Sequence, residues 1–320
     1  MSEKLKLALY WAASCGGCEI AVLEINEKIL DVDAAADILF WPVAVDTKYD
    51  DVRRLPDGHI DVCLFNGGIR TSEQEELAHL LRRKSKVLVA FGSCAQEGCI
   101  PGLANLYSRQ SLLERVYHTT ESTDNPEKVL PQVRTQVPEG EIEIPEFYDT
   151  VLALDDVVPV EYYVPGCPPQ PHQIWNVIQA IVAGNLPKPP AIVGAGDKTC
   201  CDDCERKKSE KKVKRFYRPF EKVPEPEVCL LEQGFLCAGP ATRSGCGNAL
   251  CVKANMPCRG CYGPPPGVVD QGAKFLSAVA SVIDSNDPDE IAQIVGTISD
   301  PAGTFYRFSL SKSLLRRAKV

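Results

Sequence analysis

Residues 5–18 read Leu5-Lys6-Leu7-Ala8-Leu9-Tyr10-Trp11-Ala12-Ala13-Ser14-Cys15-Gly16-Gly17-Cys18. The run 5–12 is short and nearly all apolar, the pattern of a strand covered on both faces. It stops at a turn holding two cysteines and two glycines. From 19 to 31 the apolar spacing changes, with Ile20, Leu23, Ile25, Ile29 and Leu30 at helical intervals. A buried strand, a glycine turn and a helix are the opening unit of a parallel α/β sheet. The same run resembles the apolar heart of a secretion signal. Its weakly positive start, the lack of a twin-arginine pair there and the immediate cysteine turn favour a strand.

The alternation continues outward from this unit. Residues 37–45 read as a second strand, and 59–65 as a third that ends at Asn66-Gly67-Gly68. Thr71 followed by Gln74 is a capping-box signature. The helix it starts runs through Leu77, Leu80 and Leu81, with Arg82, Arg83 and Lys84 at the end the macrodipole prefers. Residues 86–91 form a fourth strand that breaks at Gly92. Residues 161–164 form a fifth, stopped by Pro165-Gly166-Cys167-Pro168-Pro169, and 172–183 the helix after it. Strands alternating with helices predict a doubly wound parallel sheet. Residues 119–160 are rich in proline and acid, without a strong period, and read as a surface excursion. Leu186-Pro187-Lys188-Pro189-Pro190 and Gly194-Ala195-Gly196 read as a linker. The boundary falls near 195, dividing residues 1–195 from a smaller, loop-rich unit at 196–320. That second unit ends in two helices, at 271–283 and 287–298.

Composition narrows the function classes. The 320 residues hold 35 Lys and Arg against 43 Asp and Glu, a net charge of −8, which argues against a general nucleic-acid binder. No apolar run approaches the ~18 residues of a membrane span. The outlier is cysteine, at 15 residues beside 4 His. An odd count in a long chain is unlike a disulfide framework. A reducing, cytoplasmic setting makes these cysteines metal ligands. The basic stretch 205–222 reads first as a solvated face and second as a dock for an acidic partner.

Cys15 and Cys18 follow strand one, Cys94 follows strand four and Cys167 follows strand five. In an open α/β sheet those ends share one edge, where ligands bind. Four thiolates from three loops can therefore converge, and four thiolates are the usual ligands of a 4Fe–4S cube. Gly16, Gly17, Gly92 and Gly166 leave room for close backbone approach. Cys63, inside a strand, reads as a small core hydrophobe. The second unit offers eight more cysteines if Cys201 is taken rather than Cys200: Cys201, Cys204, Cys229, Cys237, Cys246, Cys251, Cys258 and Cys261. Two further cubes are allowed. Zinc remains open, although its usual ribbon spacing is tighter than this.

Cys15-Gly16-Gly17-Cys18, Gly92-Ser93-Cys94-Ala95, Pro165-Gly166-Cys167-Pro168-Pro169 and Met256-Pro257-Cys258-Arg259-Gly260-Cys261-Tyr262-Gly263, in this order, resemble the small subunit of nickel–iron hydrogenases. The likeness spans nearly the whole chain and is nearest to the cytoplasmic methyl-viologen-reducing (deazaflavin-non-reducing) hydrogenases of methanogenic archaea. It implies an α/β fold: a flavodoxin-like doubly wound parallel sheet, then a smaller iron–sulfur domain ending in helices. It also implies three 4Fe–4S clusters. Cys15, Cys18, Cys94 and Cys167 would hold the proximal cluster, Cys246, Cys251, Cys258 and Cys261 the medial one, and Cys201, Cys204, Cys229 and Cys237 the distal one. Many relatives place histidine at the first distal position and proline at the position of Cys251. A thiolate in place of that proline implies a complete medial cube. Cys99 stands where some oxygen-tolerant members carry an extra cysteine, but Gly17 occupies the second such site, so no oxygen-tolerant cluster is expected. Cys200 is a spare, or an alternative to Cys201.

The resemblance implies an electron-transfer subunit with no catalytic residue of its own. Its expected partners are a nickel–iron large subunit, a small iron–sulfur adaptor and a heterodisulfide reductase complex. Glu19, beside Cys18, is a candidate for a proton path, against the plainer reading of a dipole partner in a first helical turn. The rivals are a quinone-reductase-type iron–sulfur subunit and a structural zinc scaffold.

Overall fold

The computed structural model describes residues 4–209 and 213–316. Six strands form one sheet: β1 (Leu5–Trp11), β2 (Ala36–Phe40), β3 (Ile60–Asn66), β4 (Ser85–Phe91), β5 (Tyr162–Val164) and β6 (Ala191–Ile192). All pairings are parallel, in the order β6-β5-β4-β3-β1-β2. The winding reverses between β1 and β3, which makes their carboxyl ends the switch point of a flavodoxin-like sheet. Register then fixes the site. Trp11 stands beside Asn66, Asn66 beside Phe91, and Phe91 beside Val164. These four residues form one row, and the cysteine turns leave the sheet just past it.

Each face of the sheet is covered. Leu7, Leu9, Val62, Leu64, Val89 and Phe91 pack with the helices Gly17–Leu23, Ile29–Ala35 and Pro171–Val182. Ala8, Tyr10, Phe65, Leu88 and Ala90 face the helix Ser72–Lys84. Each large side chain fully buried here contributes roughly 1.5–3 kcal/mol. Cys63 lies fully buried in the second cluster, as a core hydrophobe would. The capping box forms as expected. Gln74 N donates to Thr71 Oγ1 at 3.3 Å, and Thr71 N donates to Gln74 Oε1 at 3.1 Å.

Four local expectations are corrected. The helix expected over 19–31 is split, because Asn26 takes a left-handed conformation (φ 58°) between Gly17–Leu23 and Ile29–Ala35. The second strand ends at Phe40 rather than 45, since Pro42 has no N–H for the ladder. The excursion at 119–160 contains strands. Arg134–Val137 pairs with Gly140–Glu143, and Phe147–Leu152 with Ile69–Thr71. The linker carries β6, whose two residues are too short to display a period.

Beyond residue 196 the chain is mostly loop, packed around Phe216, Leu230, Phe235, Phe275, Val279 and Ile294. The helices Gln271–Ala280 and Pro288–Val295 begin at the side-chain caps Asp270 and Asp287, and each ends three residues before its expected bound. Among the described residues no helix is long and apolar enough to cross a membrane. Glu210, Lys211 and Lys212 of the basic stretch lie outside the described residues.

Candidate metal centres

The first set is built by three strand ends. Gly16 (φ +79°) turns the chain after β1, so Cys15 stays exposed while Cys18 enters the first turn of its helix and is buried. Gly92 (φ +82°) turns it after β4, and Cys94 sits in the helix Ser93–Glu97. Gly92 N donates to Val164 O at 2.8 Å, and Ser93 N to Gly166 O at 2.8 Å, which ties the β4 turn to the turn carrying Cys167. A Cβ at position 92 would overlap Cys18 Sγ, so the sulfur occupies the space that glycine leaves. Burial pushes the Cys18 thiol up, with Cys94, Cys167, Glu19 and Cys15 adding to the shift. The four expected proximal cysteines are therefore neighbours. Gly17 N points at Cys15 Sγ from 3.4 Å. Cys99, fully buried, donates to Cys167 Sγ at 3.7 Å and lowers the proton affinity of that thiol.

Phe308 joins this set to the next. It packs with Cys94 and Cys99, and Cys167 and Cys261 lie against the same group. Ser93 Oγ donates to Cys261 O across the same boundary. Burial raises the Cys261 thiol, and the sulfurs that add to the effect are Cys258, Cys167, Cys251 and Cys246 in that order. Cys261 thus stands between the proximal group and the expected medial one. Cys251 lies on the short helix Leu250–Lys253 and is exposed, with Cys258 and Cys246 as neighbours.

The third group lines a cavity of about 510 Å³, walled by Cys201, Cys204, Cys229 and Cys237, with Arg206, Lys208 and Lys274 around it. A Cβ on Gly239 would stand 3.0 Å from Cys201 Sγ and 3.7 Å from Cys237 Sγ. Cys258 N donates to Cys237 Sγ at 3.3 Å, so the medial and distal groups also touch. Within the basic stretch, Arg206 is occupied internally. It donates to the carbonyls of Glu225 at 2.7 Å and Val228 at 3.0 Å.

The donor sets suit iron–sulfur cubes. They are soft thiols in fours, with backbone N–H groups aimed at sulfur and glycine leaving room beside it. Among the described residues no three His, Cys, Asp or Glu side chains close on a point as a single ion requires.

Glu19 is buried (3% exposed) and lies in the first turn of the helix Gly17–Leu23, where a dipole partner would stand. Its carboxylate accepts from Trp41 Nε1 and, at 3.4 Å, from Asn66 Nδ2. Burial raises its proton affinity, and those two donors pull it back. The sequence reading missed Phe308, Gln173 and Glu97. Only the place of Glu97, three residues after Cys94, gave any signal.

A family model described as NADH ubiquinone oxidoreductase, 20 Kd subunit, matches residues 15–181, a span that holds β2 to β5 and the whole first cysteine set. Over 320 aligned residues, 98% of each chain, the protein is 40% identical to an iron-sulfur subunit of the F420-non-reducing hydrogenase of Archaeoglobus profundus. The chain belongs to the hydrogenase small-subunit family. This small subunit is also 39% identical over 317 residues to its counterpart in the F420-non-reducing hydrogenase of Methanococcus voltae, covering 99% of both. Among solved structures, an NAD+-reducing [NiFe]-hydrogenase chain in the H2-reduced state aligns with TM-score 0.50 and 28% identity, over 59% of this chain and 96% of that one. An H2-activated [NiFeSe]-hydrogenase chain from Dm. baculatum aligns with TM-score 0.51 over 83% of this chain and 96% of that one. At 18% identity that likeness concerns the fold. The full-length relatives make this small subunit part of an oxidoreductase acting on dihydrogen.

Proposed function

We propose that this small subunit relays electrons through three 4Fe–4S clusters held by the proximal, medial and distal sets named above. The observation that carries the reading is the unbroken run of thiols. Cys167 meets Cys261 around Phe308, and Cys258 N meets Cys237 Sγ. When bound, the clusters supply one-electron storage at potentials set by ligands, hydrogen bonds and burial. The chain's own residues do the rest: glycine turns admit the sulfurs, backbone N–H groups point at them, and packing buries Cys18, Cys94, Cys237 and Cys258. On this reading dihydrogen is handled in a separate nickel–iron large subunit. Electrons leave from the distal end to a small iron–sulfur adaptor and a heterodisulfide reductase complex in the cytoplasm. The division near residue 195 separates the unit with the proximal set from the unit with the other two.

Anaerobic purification from the native source tests this. Iron analysis should give about twelve irons per chain, with brown colour bleached by dithionite. A value near four removes the medial and distal assignments. A colourless zinc protein removes all three. Copurification with a nickel-bearing chain supports the proposed assembly, and its isolation without one counts against it.

A further inference from the structure

The basic stretch spends its charge unevenly. Arg206 is occupied internally, and Arg215 pairs with Glu221 at 2.7 Å. Arg218 is exposed and lies over the ring of Phe220, 5.0 Å from its centre. It lines a groove of about 380 Å³ together with two arginines from distant parts of the chain. Arg259 comes from the strap between Cys258 and Cys261, and Arg307 from just past the helix Pro301–Phe305. Among the described residues no carboxylate stands within ion-pair distance of these three. Asp300 is the one acid in the described wall, and its carboxylate accepts from Gly303 N at 3.0 Å to cap that helix. Arg307 Nε donates to Gly303 O across a long 3.4 Å. Burial opposes the charge on Arg307, and the charge of Arg259 opposes it further. Like charges are thus gathered in one groove of a chain whose net charge is −8.

The rest of the wall is apolar and open. Phe220 is 76% exposed and Met256 40%. The floor is fixed from below: Phe216 N donates to Thr297 Oγ1 at 3.0 Å, and Tyr217 N to Gly234 O at 2.8 Å. A groove already held in shape costs less to fill. Arginine, methionine and phenylalanine are enriched where proteins meet, and a guanidinium fork matches a carboxylate with two bonds. A free inorganic anion would use the arginines and leave Phe220 and Met256 bare. A peptide with both acidic and aliphatic side chains uses the whole groove.

The geometry points to this groove as the docking site for an acidic segment of a partner polypeptide, whose carboxylates meet Arg218, Arg259 and Arg307 and whose apolar side chains cover Phe220 and Met256. The groove shares no lining residue with the distal cavity, so its role is to anchor, and it stands whatever the cysteine sets bind.

The test uses the native complex, purified anaerobically, with photoreactive benzoyl-phenylalanine in place of Phe220. Irradiation should join this position to another polypeptide, at a stretch rich in Asp and Glu. Arg218→Gln with Arg307→Gln should lower the yield by ~10-fold or more at unchanged iron content. Arg218→Lys with Arg307→Lys should restore most of it, and raising salt from about 50 to 200 mM should weaken it. No joined product, a joined stretch without carboxylates, a joined second copy of this chain, or an equal yield in the glutamine pair overturns the proposal. Inorganic phosphate that abolishes the product at equal ionic strength overturns it too, by making the groove a small-anion site.

Discussion

The phenol of Tyr262 donates to Oε1 of Gln173 over 2.6 Å, with each side chain only 1% exposed. The same amide donates from Nε2 to Pro165 O at 2.9 Å. One glutamine thus fastens the strap that carries Cys261 to the turn that carries Cys167. Tyr262→Phe removes the donor, while Gln173 Oε1 still accepts from Gln170 N at 3.2 Å. The loss should be about 1 kcal/mol. Thermal unfolding should fall by roughly 2 °C with iron content unchanged. An unaltered midpoint would show that the strap is held by packing alone.

Gly92→Ala carries two costs at one atom. The residue has φ +82°, a region that disfavours an alanine side chain, and its new Cβ would overlap Cys18 Sγ. Cys18 must move away from Cys94 and Cys167. Iron should drop by about four per chain, with the medial and distal signals intact. Full iron content in this variant would place the proximal set elsewhere.

Glu97 gives a pH dependence with a definite sign. Burial holds its carboxyl up at about 8 against an ordinary 4.5, Asp155 and Asp156 push the same way, and Lys312 and Gln96 oppose. Lys312 itself pairs with Asp155 at 2.9 Å and Asp156 at 3.0 Å. Below the ordinary value both folded and unfolded chains hold the proton, and Glu97 adds no slope. As pH rises through the interval the unfolded chain releases the proton and the folded one does not, so stability falls until about pH 8. Glu97→Gln should remove this loss and gain on the parent between pH 5 and pH 8, by on the order of a few kcal/mol. Denaturant unfolding at the two pH values measures it, and parallel curves for the two proteins would refute it.

The sheet and the first cysteine set were legible because both are punctuated locally. Apolar runs end at glycines, and the register row Trp11, Asn66, Phe91 and Val164 brings those ends level. The capping box at Thr71 and Gln74 is a four-residue signal and survives intact. What spacing could not reveal depends on three-dimensional neighbours. Cys200 and Cys201 are adjacent in sequence, and only the turn closed by Asp202 N on Thr199 O, beside the pairing with residues 242–244, shows that both reach the wall of the distal cavity. Exposed strands such as Gly140–Glu143 carry no apolar alternation to read. The helical position of Glu19 gave no sign of its burial, which comes with the indole of Trp41 from beyond β2.

That last pair supports the remaining prediction. Glu19 follows Cys18 directly, is buried, and holds its carboxylate between Trp41 Nε1 and Asn66 Nδ2. A buried carboxyl whose proton affinity is raised by burial and lowered by two donors is suited to pass a proton rather than store a charge. Glu19→Gln keeps the shape and one of the two hydrogen bonds, since its NH2 cannot accept as the second carboxylate oxygen does, and it cannot cycle a proton. In the assembled hydrogenase it should slow dihydrogen oxidation by ~10-fold or more, while iron content and the proximal signal stay as in the parent. Trp41→Phe should instead retain activity and shift its pH profile upward, because the carboxyl loses its stronger donor. A Glu19→Gln enzyme with the parent's rate across that profile would make Glu19 a structural anchor for the first turn and nothing more.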